Sequence, residues 1–454
     1  MKEYLVACVG KPSAGKSSFL NAGASFFGGT RSFCRELTRD ATVSDAAAKV
    51  GNFPFTTIRP NHGVAYVPID CQCKRFGKQD ICAPKHGKCT DGIRLVPLKI
   101  MDVAGLVPGA STGEGLGNQF LDDLRTADLL IHVVDSSGTT DAGGKVTIGY
   151  DPINDIDWLR SEIHSWIFNN LMKKWDGIRR RHIATGQNTA ETMALQFSGY
   201  GANLACVQRT LDRAAVVDAL DIWTEDVIKK VVDTFLDERF PTIISLNKID
   251  LPDSDKNIDR IFRKYDPVSM MHVCMGKLID IQSKIVLTSA LAEVFLRKLH
   301  SQGFINYHEG TDLFDLADET NSLKPLPPTT QSRLEKVQDL VLFRYGHTGV
   351  QATLKLAMET LQLIPVYPVR NINSFGDGSA GGKEKSGVFR DCVLVKKGAT
   401  VGDFVLDMIG EERKKSLQYI ETVGGVRLGD SDLISTSNNI ISFKLSNDAS
   451  ATKN

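Results

Sequence analysis

Short runs of apolar residues, separated by glycine-rich turns, recur along the first two thirds of the chain. Six runs have the length and composition of buried strands, at residues 4–9, 64–69, 95–102, 129–135, 242–246 and 285–288. A helical start follows Gly15, between the first two runs. Strand and helix patterns that alternate in this way predict an α/β fold with a mostly parallel sheet.

A long stretch without strand character separates the fourth run from the fifth. Apolar residues recur there at near-helical spacing, first between Trp158 and Trp175 and again between Leu211 and Leu220. We therefore interpret residues 151–238 as a helical subdomain. On this interpretation it is inserted into a core domain made of residues 1–150 and 239–360.

The last part of the chain has a pattern of its own. Helical spacing at residues 334–342 and 349–363 gives way to a strand pattern, a helix that Thr400 is placed to cap, and short strands near Val426 and Ile440. These features predict a small α+β module at residues 364–445. Residues 373–387 are rich in Gly, Ser and Lys and predict a flexible loop, and the polar residues 446–454 predict a disordered tail.

The composition excludes some classes of partner. The chain has 454 residues with 54 basic and 54 acidic side chains, so no overall positive field attracts nucleic acid or an anionic membrane. No apolar run approaches the roughly 18 residues of a membrane helix, and the chain enters a strand pattern too early for a signal peptide. The nine cysteines include several that are scattered singly, which indicates reduced cytosolic usage rather than a disulfide framework. We expect a cytoplasmic protein without a membrane segment.

A glycine-rich loop joins the first strand pattern to the first helical start. It matches G-x-x-x-x-G-K-[ST], and its eight residues are Gly10, Lys11, Pro12, Ser13, Ala14, Gly15, Lys16 and Ser17. In such a loop the backbone N–H groups, continuing into Ser18, surround the phosphates of a nucleotide. Lys16 is then expected to bridge the β- and γ-phosphates, and the Ser17 hydroxyl to bind Mg²⁺.

Two further motifs follow strand ends and indicate which nucleotide is bound. Asp102 and Gly105 form a D-x-x-G step, in which the carboxylate holds Mg²⁺ through water and the glycine N–H senses the γ-phosphate. Taken alone, the step is equally explained as a turn at a strand end. Its position after the phosphate loop favours the nucleotide interpretation.

The second motif is N-K-x-D. It consists of Asn247, Lys248 and Asp250, and Ser289 and Ala290 follow the next strand pattern. The Asp250 carboxylate is suited to accept two hydrogen bonds from guanine N1 and N2, which adenine does not offer. In this order the motifs predict a guanine-nucleotide site that uses GTP, GDP and Mg²⁺.

The ordered motifs resemble those of the Obg superfamily of GTPases, and most closely its YchF-like branch of archaeal and eukaryotic type. The resemblance rests on the motifs above together with F-P-F-T-T-I-R-P-N at residues 53–61 and D-V-A-G-L-V-P-G-A at residues 102–110. It covers nearly the whole chain, because residues 364–445 also look like a TGS domain, a β-grasp-like module. The resemblance implies a P-loop NTPase domain with the helical insert and this C-terminal domain.

The resemblance also implies roles for residues near the γ-phosphate. Thr57 is expected to close over the γ-phosphate and Mg²⁺, with Thr56 as the nearby competitor, although the residues alone are equally explained as a β-turn. Leu106 stands where Ras-like enzymes have the Gln that orients water, so we expect slow hydrolysis. Ser13 replaces the Asn that many Obg-like loops use with K⁺, which puts a potassium requirement in doubt.

Two other readings of the function stay open. Some YchF-like members accept ATP, although Asp250 favours GTP, and the protein is alternatively a GTP-gated binding module with negligible turnover. Basic residues in the TGS-like part are explained either by a solvated face or by contact with the ribosome or other RNA. They are Lys383, Lys385, Arg390, Lys396 and Lys397. A protein partner of this module is the further alternative.

Five potential metal ligands lie between the F-T-T-I phrase and Asp102. They are Cys71, Cys73, Cys82, His86 and Cys89. Thiolates and an imidazole at such spacing suit tetrahedral Zn²⁺, although C-x-C is tighter than the usual C-x₂-C. Reduced cysteines without a ligand, and a redox role, are the alternatives.

Overall fold

The computed structural model describes residues 3–24, 60–106, 109, 117–265, 284–317, 322–376 and 387–446. These residues form two compact units. The larger unit comprises the described residues of 5–64 and 99–357, and the smaller unit comprises those of 3–4, 65–98 and 358–446.

Most of a seven-stranded sheet lies in the larger unit, whereas its residues 65–70, 89–90 and 93–98 belong to the smaller one. Its strands are β1 (Leu5–Val9), β2 (Asn61–Asp70), β3 (Cys89–Thr90), β4 (Ile93–Asp102), β5 (Leu129–Asp135), β6 (Thr242–Asn247) and β7 (Ile285–Leu287). Their order is β2-β4-β1-β5-β6-β7, with β3 beside β4, and the chain passes between the two units within β2 and β4. The pairs β4–β1, β1–β5, β5–β6 and β6–β7 are parallel, which confirms the predicted mostly parallel sheet.

The helices of this unit connect the strands or follow the last of them. They are α1 (Lys16–Gly23), α2 (Gly117–Leu124), α3 (Ile153–Met172), α4 (Trp175–Thr185), α5 (Thr189–Phe197), α6 (Leu204–Ala214), α7 (Glu225–Arg239), α8 (Ser254–Tyr265), α9 (Ala290–Ser301), α10 (Pro328–Val337) and α11 (Val350–Thr360). No helix in the described ranges combines the length and apolarity needed to span a membrane.

Helices α3 to α7 occupy the stretch in which the sequence predicts helices. Side chains at their ends hold the chain in place: Asn188 Oδ1 accepts from Glu191 N at 2.7 Å to begin α5, and Asn203 Oδ1 accepts from Cys206 N at 2.9 Å to begin α6. One apolar cluster joins Met101 of the sheet to these helices. The helical stretch therefore shares its core with the sheet, because no polar layer separates them.

Among the described residues after β7, a short hairpin lies between α9 and α10, and α11 follows them. Strands β8 (Asn306–Tyr307) and β9 (Phe314–Asp315) pair with each other, and α10 continues through a π-helical segment at Gln338–Leu342. The predicted helix at 334–342 thus begins earlier than its apolar spacing indicates. Pro328 at the first turn of α10 accounts for the earlier start, since proline fits that position.

A five-stranded sheet and one helix make up most of the smaller unit. The strands are β10 (Leu363–Pro368), β11 (Val393–Lys396), β12 (Leu417–Thr422), β13 (Val426–Leu428) and β14 (Ile440–Leu445), in the order β11-β10-β14-β12-β13. Helix α12 (Val401–Lys414) begins at Thr400, whose Oγ1 accepts from Asp403 N at 3.1 Å, as predicted. Its apolar face packs against the sheet through Val401, Phe404 and Val405.

Residues 65–98 belong to the same unit as the C-terminal sheet. Some of their apolar side chains, among them Cys71 and Cys73, form one cluster with Tyr367, Phe375 and Phe389. The sequence prediction placed residues 65–98 in the GTPase domain, and its other domain boundaries stay predictions. The grouping arises from pairing between segments far apart in sequence, which local patterns do not reveal.

Candidate functional site

The glycine-rich loop between β1 and α1 has two positions that only glycine fits. Gly10 has φ 140° and Gly15 has φ 101°, both in the region that favours glycine. A Cβ at Gly10 would overlap the Val133 carbonyl oxygen, and a Cβ at Gly15 would overlap the Asn247 amide. The loop is therefore packed between β5 and the N-K-x-D segment, with Lys16 beginning the helix as predicted.

Lys16 lies buried within this loop. Its Nζ donates to the Lys11 carbonyl oxygen at 3.0 Å. Burial lowers the pKa of Lys16, and the nearby Asp102 carboxylate acts in the opposite direction. A buried ammonium group at the N-terminus of a helix is well placed to bind an anion.

Ser17 and Asp102 are in direct contact. The Ser17 hydroxyl donates to Asp102 Oδ2 at 2.6 Å. Register accounts for the meeting, because Asp102 pairs with Cys8 at the carboxyl ends of parallel strands β4 and β1. Hydroxyl and carboxylate oxygens are ligands that Mg²⁺ takes, so the two residues fit the ion that the sequence predicts.

The D-x-x-G turn packs directly against the phosphate loop. A Cβ added at Gly105 would lie 2.8 Å from both Cγ and N of Pro12, and Leu106 N donates to the Gly10 carbonyl oxygen at 3.2 Å. The Leu106 side chain is 2% exposed and belongs to the apolar core of the larger unit. Leu106 therefore contributes its backbone to this site, whereas its side chain points into the core.

Asn247 connects three loops of the site. Its Nδ2 donates to the Ala14 carbonyl oxygen at 2.9 Å, and its Oδ1 accepts from Ala290 N at 3.0 Å. Both polar ends of this buried amide are thus satisfied by backbone groups. The interaction holds the N-K-x-D segment against the phosphate loop and against the segment that begins at Ser289.

Asp250 is held by the neighbouring segment. Ser289 Oγ donates to Asp250 Oδ1 at 2.7 Å and also accepts from Ala292 N at 3.3 Å as the cap of α9. The hydroxyl thereby fixes one carboxylate oxygen. Asn247, Asp250, Ser289 and Ala290, predicted to act together, meet at one edge of the sheet.

Lys248 binds a residue that the sequence analysis did not identify. Its Nζ lies 2.7 Å from Oδ2 of Asp135, at the end of β5. Burial alone would raise the pKa of Asp135, but the ion pair with Lys248 and hydrogen bonds from the Ser137 and Thr140 hydroxyls lower it overall. Polar residues directly after a buried strand, here Asp135 onward, were the available signal.

Lys11 was expected among the nucleotide-binding residues, but its side chain is engaged elsewhere. Its Nζ lies 2.8 Å from Asp155 Oδ2 in the first turn of α3 and donates to the Thr140 carbonyl oxygen at 2.6 Å. Tyr150 completes the group, because its ring faces Lys11 Nζ at 4.1 Å and its hydroxyl donates to Asp155 Oδ1 at 2.9 Å. Any part of Lys11 in phosphate binding therefore falls to its backbone N–H.

A buried histidine lies behind the phosphate loop. His132 is 3% exposed, and its Nε2 has no hydrogen-bond partner among the described residues. Burial, with the positive charges of Lys16 and Lys11, lowers the pKa of His132 to about 3. The imidazole is therefore neutral at physiological pH. Its position in β5, where every residue is buried, explains its burial.

Several predicted residues lie outside this description. Thr57 and its competitor Thr56 fall in residues 25–59, and Val107, Pro108 and Ala110 of the D-V-A-G-L-V-P-G-A phrase also lie outside the residues that the structure describes. Ser13 is described: it has φ 61°, and its buried hydroxyl has no hydrogen-bond partner in the described residues.

The predicted metal ligands of residues 71–89 come together in the smaller unit, with one exception. The Sγ atoms of Cys71, Cys73, Cys82 and Cys89 all lie within 4.8 Å of one another. His86 is not a member of this group, which differs from the predicted ligand set. Four sulfur atoms already provide the number of ligands in a tetrahedral set.

Comparison with known proteins gives matches along both parts of the site. A family model described as 50S ribosome-binding GTPase matches residues 5–170, and one described as Obg-like GTPase YGR210-like, G4 motif-containing domain, matches residues 245–371. A GTP-binding protein of Schizosaccharomyces pombe is 47% identical over 435 residues, covering 95% of each chain.

Two further matches differ in extent. The ribosome-binding ATPase YchF of Bacillus subtilis is 35% identical over 161 residues, which are 34% of each chain. The crystal structure of a GTP-binding protein from Pyrococcus horikoshii superposes with a TM-score of 0.66 at 27% identity. That match covers 98% of this chain and 100% of the other.

Proposed function

Because this chain belongs to the Obg-like GTP-binding proteins, in the branch related to YchF, we propose that it is a GTP-selective switch that hydrolyses GTP slowly. The observation that carries the proposal is the position of Asp250. Its carboxylate is held by Ser289, next to an Asn247 that ties the base-binding segment to the phosphate loop. One fixed carboxylate at this place is what guanine N1–H and N2–H require.

The phosphate end of the proposed site consists of Lys16, Ser17 and Asp102. Lys16 offers a buried positive charge, and the loop N–H groups offer hydrogen bonds, so the γ-phosphate is bound by charge and by position. Ser17 and Asp102 hold Mg²⁺ on this proposal. When bound, Mg²⁺ supplies positive charge that neutralises the phosphate oxygens. Thr57 and Gly105 are proposed to sense the γ-phosphate.

Slow turnover follows from the residue after Gly105. An efficient enzyme of this class needs a polar side chain that orients the attacking water. Leu106 has no polar atom, and it is buried in the core. The chain therefore relies on positioning and charge alone until a partner or another residue completes the site.

Base selectivity is tested by exchanging the carboxylate for an amide. Asp250→Asn replaces one acceptor oxygen with a donor, so GTP affinity falls by about 100-fold, while affinity for xanthosine triphosphate, which carries an oxygen at C2, rises. The measurement is competition of GTP, ATP and xanthosine triphosphate for a fluorescent nucleotide. The nearby exposed Asp253→Asn is the control, since Asn tolerates its φ of 64°.

Tighter binding of ATP than of GTP by the unaltered chain would reject this assignment. It would favour an ATPase of the same fold, as the name of the Bacillus subtilis relative suggests. A gain of xanthosine triphosphate binding cannot come from misfolding. It therefore separates base recognition from loss of structure.

We further propose that the switch acts on the ribosome in the cytoplasm. Support comes from the family model described as a 50S ribosome-binding GTPase and from the ribosome-binding relative in Bacillus subtilis. The TGS-like residues 364–445 are the proposed contact for RNA or a protein partner. Co-sedimentation with ribosomes should occur with a non-hydrolysable GTP analogue and be lost with GDP. Equal sedimentation in both states would reject a nucleotide-gated association.

A further inference from the structure

Four cysteine sulfur atoms of the smaller unit, those of Cys71, Cys73, Cys82 and Cys89, lie close together. Cys71 Sγ lies 3.9 Å from Cys82 Sγ, and Cys73 Sγ lies 3.6 Å from Cys89 Sγ. Four thiolates around one Zn²⁺, each about 2.3 Å from it, stand about 3.8 Å apart. The separations of 3.9 and 3.6 Å are close to this edge length, and all four sulfur atoms lie within 4.8 Å of one another.

Disulfide bonds do not explain the arrangement. All four residues are free cysteines, and their closest sulfur atoms are much farther apart than the roughly 2.05 Å of a disulfide. Their backbone is also organised. Cys71 N donates to the Gly92 carbonyl oxygen at 2.8 Å, Lys78 N donates to that of Cys73 at 2.8 Å, and Cys89 pairs with Arg94 in adjacent strands. Backbone hydrogen bonds thus hold three of the four cysteines in position without a ligand.

The surroundings favour a metal centre over four unliganded thiols. Cys71 and Cys73 are buried in a cluster with Tyr367 and Phe389, where thiols find few strong hydrogen-bond partners. Four thiolates with one Zn²⁺ carry two negative charges. Residues 70–94 compensate them, since they contain six basic and three acidic side chains.

The most buried of these basic side chains, Arg94, joins the cysteine segment to residues 389–390. Arg94 is 1% exposed and donates to the carbonyl oxygens of Phe389 and, at 2.8 Å, Arg390. Burying a guanidinium group costs free energy unless anions or carbonyl oxygens surround it. A negatively charged metal centre on the same segment completes that balance.

We propose that Cys71, Cys73, Cys82 and Cys89 bind one structural Zn²⁺, which fixes the cysteine segment against the C-terminal sheet. The thiols release their protons to water when the metal binds. Hydrogen bonds already join the segment to the residues before β11: Val388 N donates to the Ile81 carbonyl oxygen at 3.0 Å, and Lys85 N donates to that of Arg390 at 2.8 Å. A metal between Cys71 and Cys89 holds both ends of the loop that makes these bonds.

The test is metal analysis of the full chain purified without added metal and without chelator. We expect about one zinc per chain, released by a mercurial reagent that modifies thiols, and replaced by Co²⁺ with the visible absorption of a tetrahedral tetrathiolate site. Cys73→Ser and Cys89→Ser each lose the zinc. His86→Ala keeps it, because His86 lies outside the group, and so does Cys392→Ser, a half-buried cysteine that packs on the same apolar cluster.

The Co²⁺ spectrum of the unaltered chain keeps the test valid if a serine variant does not fold. A folded chain without zinc, or a disulfide found by mass analysis under anaerobic purification, would overturn the proposal. Zinc loss from His86→Ala would overturn the four-cysteine assignment. Nucleotide binding is measured separately, so failure of the zinc site leaves the GTP proposal unaffected.

Discussion

Lys11 Nζ and Asp155 Oδ2 form a buried ion pair at 2.8 Å, with both side chains at most 2% exposed. The pair joins the second residue of the phosphate loop to the first turn of α3. It lies within the larger unit and connects the start of the helical stretch to the nucleotide site. Any shift of the loop therefore displaces a buried charge.

Removing one member of this pair should destabilise the protein strongly. Lys11→Met or Asp155→Leu leaves the other charge buried without its partner, which costs about 3–5 kcal/mol. The double variant Lys11→Met/Asp155→Leu should recover much of this loss, because no isolated charge remains. Chemical denaturation of the three variants measures it. Additive losses in the double variant would contradict the ion-pair explanation.

Gly15→Ala should disturb the base-binding segment from the phosphate loop. The new methyl group meets the Asn247 amide at a backbone with φ 101°, so we expect a loss of about 1–3 kcal/mol and weaker nucleotide binding. Gly177→Ala is the control. It lies in α4 with open space around it and should stabilise the chain by about 0.5–1 kcal/mol. Unchanged nucleotide affinity in Gly15→Ala would show that the loop tolerates a side chain.

His132 should make the protein sensitive to acid. Its folded pKa is about 3 against 6.5 for the free side chain, so between these pH values the unfolded chain binds a proton that the folded chain does not. The free energy of unfolding therefore falls as pH falls, by up to about 1.4 kcal/mol per pH unit from this residue. Replacing it in His132→Leu should flatten the slope, measured by urea denaturation from pH 6.5 to 4. Parallel curves for both proteins would disprove this assignment.

Leu106→Gln should not make GTP hydrolysis fast. The side chain points into the core, so an amide there is buried without partners and costs about 1–3 kcal/mol. Leu106→Met, which conserves volume, should cost less than about 1.5 kcal/mol. Single-turnover GTP hydrolysis and denaturation measure the two effects. Faster hydrolysis by the Gln variant would mean that this side chain reaches the nucleotide.

Sequence reasoning found the parts of the site that motifs encode locally. The loop around Lys16, the strand-end Asp102 and the pair Asn247 and Asp250 lie together as their order along the sheet predicts. The parallel sheet and the Thr400 cap were also predictable, because apolar runs and capping residues act over a few positions.

Other features depend on residues far apart in sequence. Nothing near Lys11 signals that its side chain meets Asp155, and the spacing of the cysteines gives no sign that their segment packs with Phe389. His86 stands at a spacing in the sequence that suits a metal ligand, but it is not part of the group of four cysteines. Such contacts arise from the fold as a whole, so local patterns left them undetermined.

Substitution at Asn247 and substitution at Asp250 have different consequences for the site. Its amide satisfies backbone groups on both the phosphate side and the base side, through Ala14 and Ala290, so substitution there loosens both at once. Asp250 contacts only the Ser289 hydroxyl among the interactions described above. If Asp250 reads the base as proposed, a single substitution there changes the base preference while Asn247 keeps the phosphate loop and the segment at Ala290 joined, so a new nucleotide preference needs few evolutionary steps.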